Sequence, residues 1–201
     1  MKMVQAKFLA RLIAVVIFFI FSTAGFGQTF TGNNLNTDFG GANGTPQIIT
    51  STANVSLTGT IGNNYEIDNV LLNINHTWVG DVIARLISPS GNSQLVLITL
   101  NDVNNDGDNF TNTIILDGGA DLNTGNAPFT GNFQATGGLF STAFAGENVN
   151  GNWTLELEDR FPSGDDGTLL NFEITFATSD LEISSSVNNT TPNPGDNVTF
   201  T

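Results

Sequence analysis

From Val70 the chain alternates. Val70, Leu72 and Ile74 stand on one side, with Asn73 and Asn75 between and after them. The same period of two recurs at Trp153, Leu155 and Leu157, interleaved with Thr154, Glu156 and Glu158. It recurs again at Leu170, Phe172, Ile174 and Phe176 against Asn171, Glu173 and Thr175. Alternation of this kind is the mark of a strand with one face in a core and one in water. Shorter apolar runs at 55–57, 82–87, 95–100 and 114–116 fit further strands. Turn pairs such as Ser90-Gly91, Asp106-Gly107 and Asn150-Gly151 punctuate them. No stretch after residue 27 has a convincing helical period. The pattern predicts an all-β fold, a β-sandwich or jelly roll of about eight antiparallel strands.

Parity also places the single histidine of the chain. His76 shares the parity of Val70, Leu72 and Ile74, so it closes the buried face of its strand and is expected to be structural, satisfied by hydrogen bonds at a strand-to-turn junction. Gly80 is expected to permit the sharp turn that follows, and Asp81 to accept backbone amides within it. Acid/base chemistry at His76 lacks partners in the sequence. There is no GxSxG elbow or other recognisable nucleophile motif, the cysteine count is zero, and one histidine cannot build a multi-histidine zinc site.

Composition changes the picture at the N-terminus. Residues 1–27 carry Lys2, Lys7 and Arg11, an apolar run from Leu12 to Phe21, and small residues around Gly25 and Gly27. This pattern predicts a secretory signal peptide, too short in its apolar part to span a bilayer. The mature chain is then expected to start near Gln28 and to be secreted or displayed at the cell surface. With no cysteine to form disulfides, its stability must come from its core or from bound ions. Losing those three basic groups takes the formal charge of −14 down to −17, leaving Arg85 and Arg160 against 19 acidic residues. Such a surface repels nucleic acid and anionic lipid, and no membrane span is expected after signal removal. It suits a cation-rich medium in which divalent ions neutralise clustered carboxylates.

Several short motifs then fall in a recognisable order. His76-Thr77-Trp78-Val79-Gly80-Asp81 followed by Leu86-Ile87-Ser88-Pro89-Ser90-Gly91 resembles the HTxxGDL…L.SPSGT signature of the P domain, or P/Homo B domain, of proprotein convertases and bacterial subtilisin-like proteases. The resemblance continues through residues 107–113, 127–131 and 146–155, and closes at Gly164-Asp165-Asp166-Gly167-Thr168-Leu169. Phe172 departs from it, standing where many relatives carry Trp. The resemblance covers about residues 45–177. It implies a non-catalytic sandwich that stabilises a subtilisin-type serine endopeptidase, with His76, Gly80, Asp81, Glu147 and Trp153 as structural motif positions. Proteolysis would belong to a partner domain, because the P-like region here begins soon after the signal. Residues 28–44, rich in Asn and Gly, are expected to be a lead-in. Residues 180–201 resemble the opening of a DUF11 or CARDB-type Ig-like repeat of bacterial surface proteins, which implies a truncated second domain within a longer protein.

Two readings of function follow from these features. One is a module that contacts neighbouring domains of a longer chain, or a protein partner. The other is a carbohydrate-binding or adhesive sandwich that uses exposed aromatics for a glycan ligand. Trp153, Phe172 and Phe176 have inward parity and argue against the second reading; Trp78 and Tyr65 are its outward candidates. Glycoside hydrolysis by paired carboxylates has no support, since nothing singles out a pair among 19 acids.

A calcium site is expected at Asp102-Val103-Asn104-Asn105-Asp106-Gly107-Asp108, which matches the first half of a D-x-[DN]-x-[DN]-G loop. Side chains of Asp102, Asn104, Asp106 and Asp108 would supply oxygens to the ion. The twelfth position is Thr113 rather than a bidentate Glu, so the loop is no EF-hand and the closing carboxylate must come from elsewhere, with Asp117, Asp121 and Asp159 as candidates. Calcium in such loops is also what the resemblance to bacterial P domains implies.

Overall fold

The computed structural model describes residues 27–40, 47–100, 106–161 and 164–179. Among them are ten strands in two sheets facing each other across one apolar layer, an all-β sandwich. The larger sheet runs β1 (Gln28–Thr31), β10 (Asp166–Thr178), β4 (Tyr65–His76), β7 (Phe110–Asp121) and β8 (Gly131–Gln134), and β2 (Thr37–Gly40) also pairs with β10. The second sheet runs β3 (Ile48–Val55), β9 (Gly151–Asp159), β5 (Val82–Ile87) and β6 (Gln94–Ile98). Pairing is antiparallel except between β7 and β8, which run parallel.

The alternation read from sequence is what fills the layer. Val70, Leu72 and Ile74 of β4 face Trp153, Leu155 and Leu157 of β9, all fully buried, while Glu156 and Glu158 remain outside. On that outer face both glutamates accept from the Arg85 guanidinium at 2.9 Å. The apolar faces drive the association, at about 1.5–3 kcal/mol for each large side chain removed from water.

The expected all-β sandwich of about eight strands is present, with ten strands among the described residues. Three details differ from expectation. One pair, β7 with β8, is parallel. Residues 28–40, read as a lead-in, supply β1 and β2, which lie end to end along β10. Each is four residues long, too short to show a period, but Phe39 is fully buried and Phe30 packs edge-on to Phe176 at 6.1 Å. Gly32 continues the run through a bond from its N–H to the Phe172 carbonyl at 2.8 Å. Finally, Leu170 does not share the inward face with Phe172. A bulge between Leu169 and Asn171 inserts one residue opposite the Asn73–Ile74 step, so Leu169 is buried and Leu170 is 37% exposed. One extra residue reverses parity on the far side of a bulge.

A single helical turn, α1 (Phe140–Ala143), packs beside β4, β6 and β7. No helix among the described residues is long and apolar enough to cross a membrane. All but the last residue of the expected signal peptide at 1–27, the start of the calcium loop and the tail from Asp180 lie outside the described residues.

Candidate functional site

The motif residues converge at the end of the sandwich where β4 runs out. His76 is the last residue of β4 and is 2% exposed. Its backbone N–H donates to the Asn109 side chain and its carbonyl accepts from the Asn109 N–H, both at 3.0 Å. These two bonds hold the strand end against the start of β7. The ring lies 5.5 Å from that of Phe39, and on β10 its register partner is Gly167. A Cβ at Gly167 would stand 2.5 Å from His76 Cδ2 and 2.7 Å from Phe39 Cζ. The close approach of ring and strand therefore requires glycine there.

His76 Nδ1 accepts the Trp78 backbone N–H at 3.1 Å. An imidazole that accepts at Nδ1 carries its proton on Nε2. That nitrogen faces Asp159 Oδ2 at 3.6 Å, with both side chains fully buried. The separation is too long for a hydrogen bond, and neither atom has another partner. The other carboxyl oxygen, Asp159 Oδ1, accepts from the Phe161 N–H at 2.7 Å.

The rest of the HTWVGD stretch folds over this pair as one 3-10 turn, Val79–Asp81. Gly80 is buried, and its carbonyl accepts from the Arg160 guanidinium at 2.6 Å; the Asp81 carbonyl accepts the Arg160 N–H at 2.9 Å. The expectation that the Asp81 carboxyl caps amides of this turn is corrected: no amide among the described residues donates to it. Burial, then the nearby Asp159 and Asp165, push Asp81 above the usual carboxylate range.

Two hollows flank the corner. One, of about 490 Å³, is lined by His76, Thr77, Asp38, Asp108, Asp166 and neighbours, with Thr168 Oγ1 donating to Asp38 at 2.7 Å. The other, of about 250 Å³, is lined by Trp78, Phe161, Asp81 and Asp165. Trp78 and Phe161 are 39% and 61% exposed. Trp78 is an outward candidate already in the sequence, whereas Phe161, 83 positions later, lies in a segment without period and carries no such mark.

Glu147 and Trp153 sit elsewhere. Glu147 accepts from Ser93 Oγ at 2.7 Å and Ser90 Oγ at 3.1 Å, tying the Ser88–Ser93 turn to the loop before β9. The Ser93 bond comes first among the causes that hold its carboxyl below the ordinary glutamate range. Trp153 donates from Nε1 to the Val149 carbonyl at 3.0 Å and packs edge-on to Phe144 at 5.1 Å.

Among the described residues, the expected calcium ligands Asp106, Asp108, Asp117 and Asp159 do not gather into one cluster. Asp102 and Asn104 lie outside the described residues. Asp106 and Asp108 are exposed on either side of Gly107, whose φ is +96°. Asp117 is committed to starting α1, its two oxygens accepting the N–H groups of Phe140 at 2.6 Å and Ser141 at 3.0 Å. Asp121 caps the 3-10 turn that follows β7, accepting the Asn123 N–H at 2.9 Å. Asp159 is turned into the core. Among the described residues, no three His, Cys, Asp or Glu side chains gather as a metal site.

A family model described as the proprotein convertase P-domain matches residues 67–176, from within β4 to within β10. Two solved structures resemble the chain more loosely. One is the Aeromonas sobria serine protease in complex with the chaperone ORF2, at 15% identity over 77% of this chain and 27% of that one, with a TM-score of 0.44. The other is the serine protease of Aeromonas sobria, at 16% identity over 76% of this chain and 26% of that one, with a TM-score of 0.42. The present chain thus spans little more than a quarter of either protein. No curated protein matches.

Proposed function

The chain belongs to the proprotein convertase P-domain family, and from that premise we propose that it is a non-catalytic accessory module of a secreted or cell-surface protein. It is the kind of domain that accompanies subtilisin-like serine endopeptidases, and any proteolysis resides in a partner domain. One observation supports this reading above the others: the motif residues are used up by architecture. His76 closes a strand against Asn109 and faces a buried carboxyl, Glu147 ties two serines of a turn, and Trp153 fills the layer between the sheets. A histidine whose Nδ1 accepts a backbone amide and whose Nε2 is sealed from solvent is badly placed to shuttle protons to a substrate.

Calcium has a narrower place in the reading than the sequence suggested. Asp117 and Asp121 drop out of the ligand set because they accept backbone N–H groups, and Asp159 because it is fully buried in the core; the proposal keeps only the loop ending at Asp108. The function is tested by exposing the purified full chain to a fluorophosphonate probe for activated serines and to casein. Neither labelling nor hydrolysis is expected. A covalently labelled serine would sink the non-catalytic reading.

A further inference from the structure

The hollow between Trp78 and Phe161 combines two features that a folded surface normally keeps apart. Large aromatic rings are among the costliest side chains to leave in water. Here two of the five exposed large hydrophobics of the described residues stand around one depression. Trp78 occupies a position that the HTxxGDL signature leaves open. The same depression contains Asp81 and Asp165. Asp165 Oδ1 accepts from Thr77 Oγ1 at 2.9 Å, which fixes that carboxylate beside the ring-bearing turn, and Asp159 lies close enough to Asp81 to add to the negative potential. The cation nearest the site, Arg160, has its guanidinium on the Gly80 carbonyl. Arg160 acts on Asp81 through space, but no hydrogen bond among the described residues reaches the Asp81 carboxyl, and Trp78 and Phe161 keep exposed surface beside it.

We propose that this hollow is a docking site for a basic side chain, an arginine or lysine presented by an extended segment of a partner protein. A guanidinium or ammonium group is the ligand that both features recognise at once. Ring faces attract a cation through their quadrupole, and carboxylates do so by charge and hydrogen bonding. A neutral glycan would gain from the rings but not from the crowded charge, and a bare divalent cation would gain from the carboxylates but not from the rings. The proposal goes beyond the accessory-module reading, since it holds whichever domain or protein presents the basic residue. Burial is the first cause of the rise in the Asp81 pKa, and Asp159 and Asp165 add to it; a bound cation would relieve only that second part.

The test uses the full chain and an acetylated, amidated (Arg-Gly)₃ peptide, with (Gln-Gly)₃, cellohexaose and calcium chloride as the other arms. Only two tryptophans are present, and Trp153 is buried. The indole N–H resonance of Trp78 therefore reports the site while that of Trp153 serves as an internal control. The arginine peptide is expected to move the Trp78 signal and leave Trp153 in place. Because the chain is strongly acidic, the decisive comparison is between variants. Phe161→Ala changes no charge and is expected to weaken peptide binding about threefold, from about 0.5–1 kcal/mol for an exposed cation–ring contact. Asp81→Asn with Asp165→Asn is expected to weaken it about fivefold or more. Glu66→Gln with Asp68→Asn removes the same charge from a different hollow and is expected to change binding less than about twofold. The proposal is overturned if Phe161→Ala has no effect, if both charge-removing pairs weaken binding equally, or if cellohexaose or calcium shifts Trp78 at lower concentration than the arginine peptide. The fluorophosphonate result does not bear on any of these outcomes, so this proposal and the accessory-module reading fail separately.

Discussion

Two polar arrangements of this sandwich invite comparison. Around Glu147, a carboxylate accepts two serine hydroxyls at ordinary distances, and each group has a partner. Around His76, a buried imidazole and a buried carboxyl face each other at 3.6 Å, and the facing atoms have none. The first arrangement is partly open to water, and its loss would let water replace the bonds. The second is sealed, so removing either member leaves the other in an apolar surround with nothing to replace it. An exposed turn can therefore be held by hydrogen bonds worth about 1 kcal/mol each, whereas the sealed pair is costly to break although it gains little as it stands.

That contrast is broken most directly at His76. His76→Ala removes a ring packed on Phe39 and strands the Asp159 carboxyl, and is expected to cost about 3–5 kcal/mol in urea unfolding. A loss below about 1 kcal/mol would show that the corner tolerates an open pair. Gly167→Ala attacks the same corner from β10 by pushing a methyl group into the His76 and Phe39 rings, and about 1–3 kcal/mol is expected. The corresponding change on the other side, Glu147→Gln, is expected to cost only about 1 kcal/mol. If it costs as much as His76→Ala, accessibility does not explain the difference between the two arrangements.

The two shifted carboxyls sharpen the comparison by sign. Glu147 titrates below its ordinary value in the folded chain, so its contribution is present above the unfolded pKa and is lost as pH falls through the folded one. Asp81 titrates above its ordinary value, so its ionisation opposes folding, and acidification through the raised pKa relieves that penalty. Asp81→Asn should therefore stabilise the chain at pH 7 and have little effect below about pH 4, whereas Glu147→Gln should destabilise it at pH 7 and lose its effect in acid. Melting temperatures of both variants at pH 7 and in acid would show it; two variants moving in the same direction would contradict the assignment.

How far this corner could be read from sequence depends on the period at each position. Alternation located β4, β9 and β10, and with them the inward His76 and Trp153. It also contained the histidine's neighbour, because Asp159 continues the parity of Trp153, Leu155 and Leu157. The inward parity of Asp159 outweighs its reading as a loop ligand. Leu170 was misplaced because a bulge is invisible to a fixed period, and β1 and β2 were missed because four residues among glycines and asparagines cannot establish one. Asp117 looked like a metal ligand because an N-terminal helix partner 23 residues away leaves no local mark. The pairing of Trp78 with Phe161 has no sequence signal at all, since it joins two loops from opposite ends of the P-domain region.

The smallest expected effect concerns calcium, and the geometry sets its size. A ligand bound by the native state alone raises stability by RT ln(1 + [L]/Kd). With Asp117, Asp121 and Asp159 committed to N–H groups and the core, the loop retains Asp106 and Asp108, both exposed, beside the residues that precede them. Exposed carboxylates not gathered around a common point bind calcium in the millimolar range at best, as extracellular modules do. At about 10 mM calcium the gain is then about 1 kcal/mol, a rise of a few degrees in melting temperature for a domain of this size. Melts of the full chain in 10 mM calcium and in chelator measure it, and magnesium at the same concentration provides the ionic-strength control. Identical midpoints in calcium and chelator would remove calcium from the account. A rise of ten degrees or more would mean that Asp102 and Asn104 complete a tight site with Asp106 and Asp108, and Asp108→Asn should then abolish it.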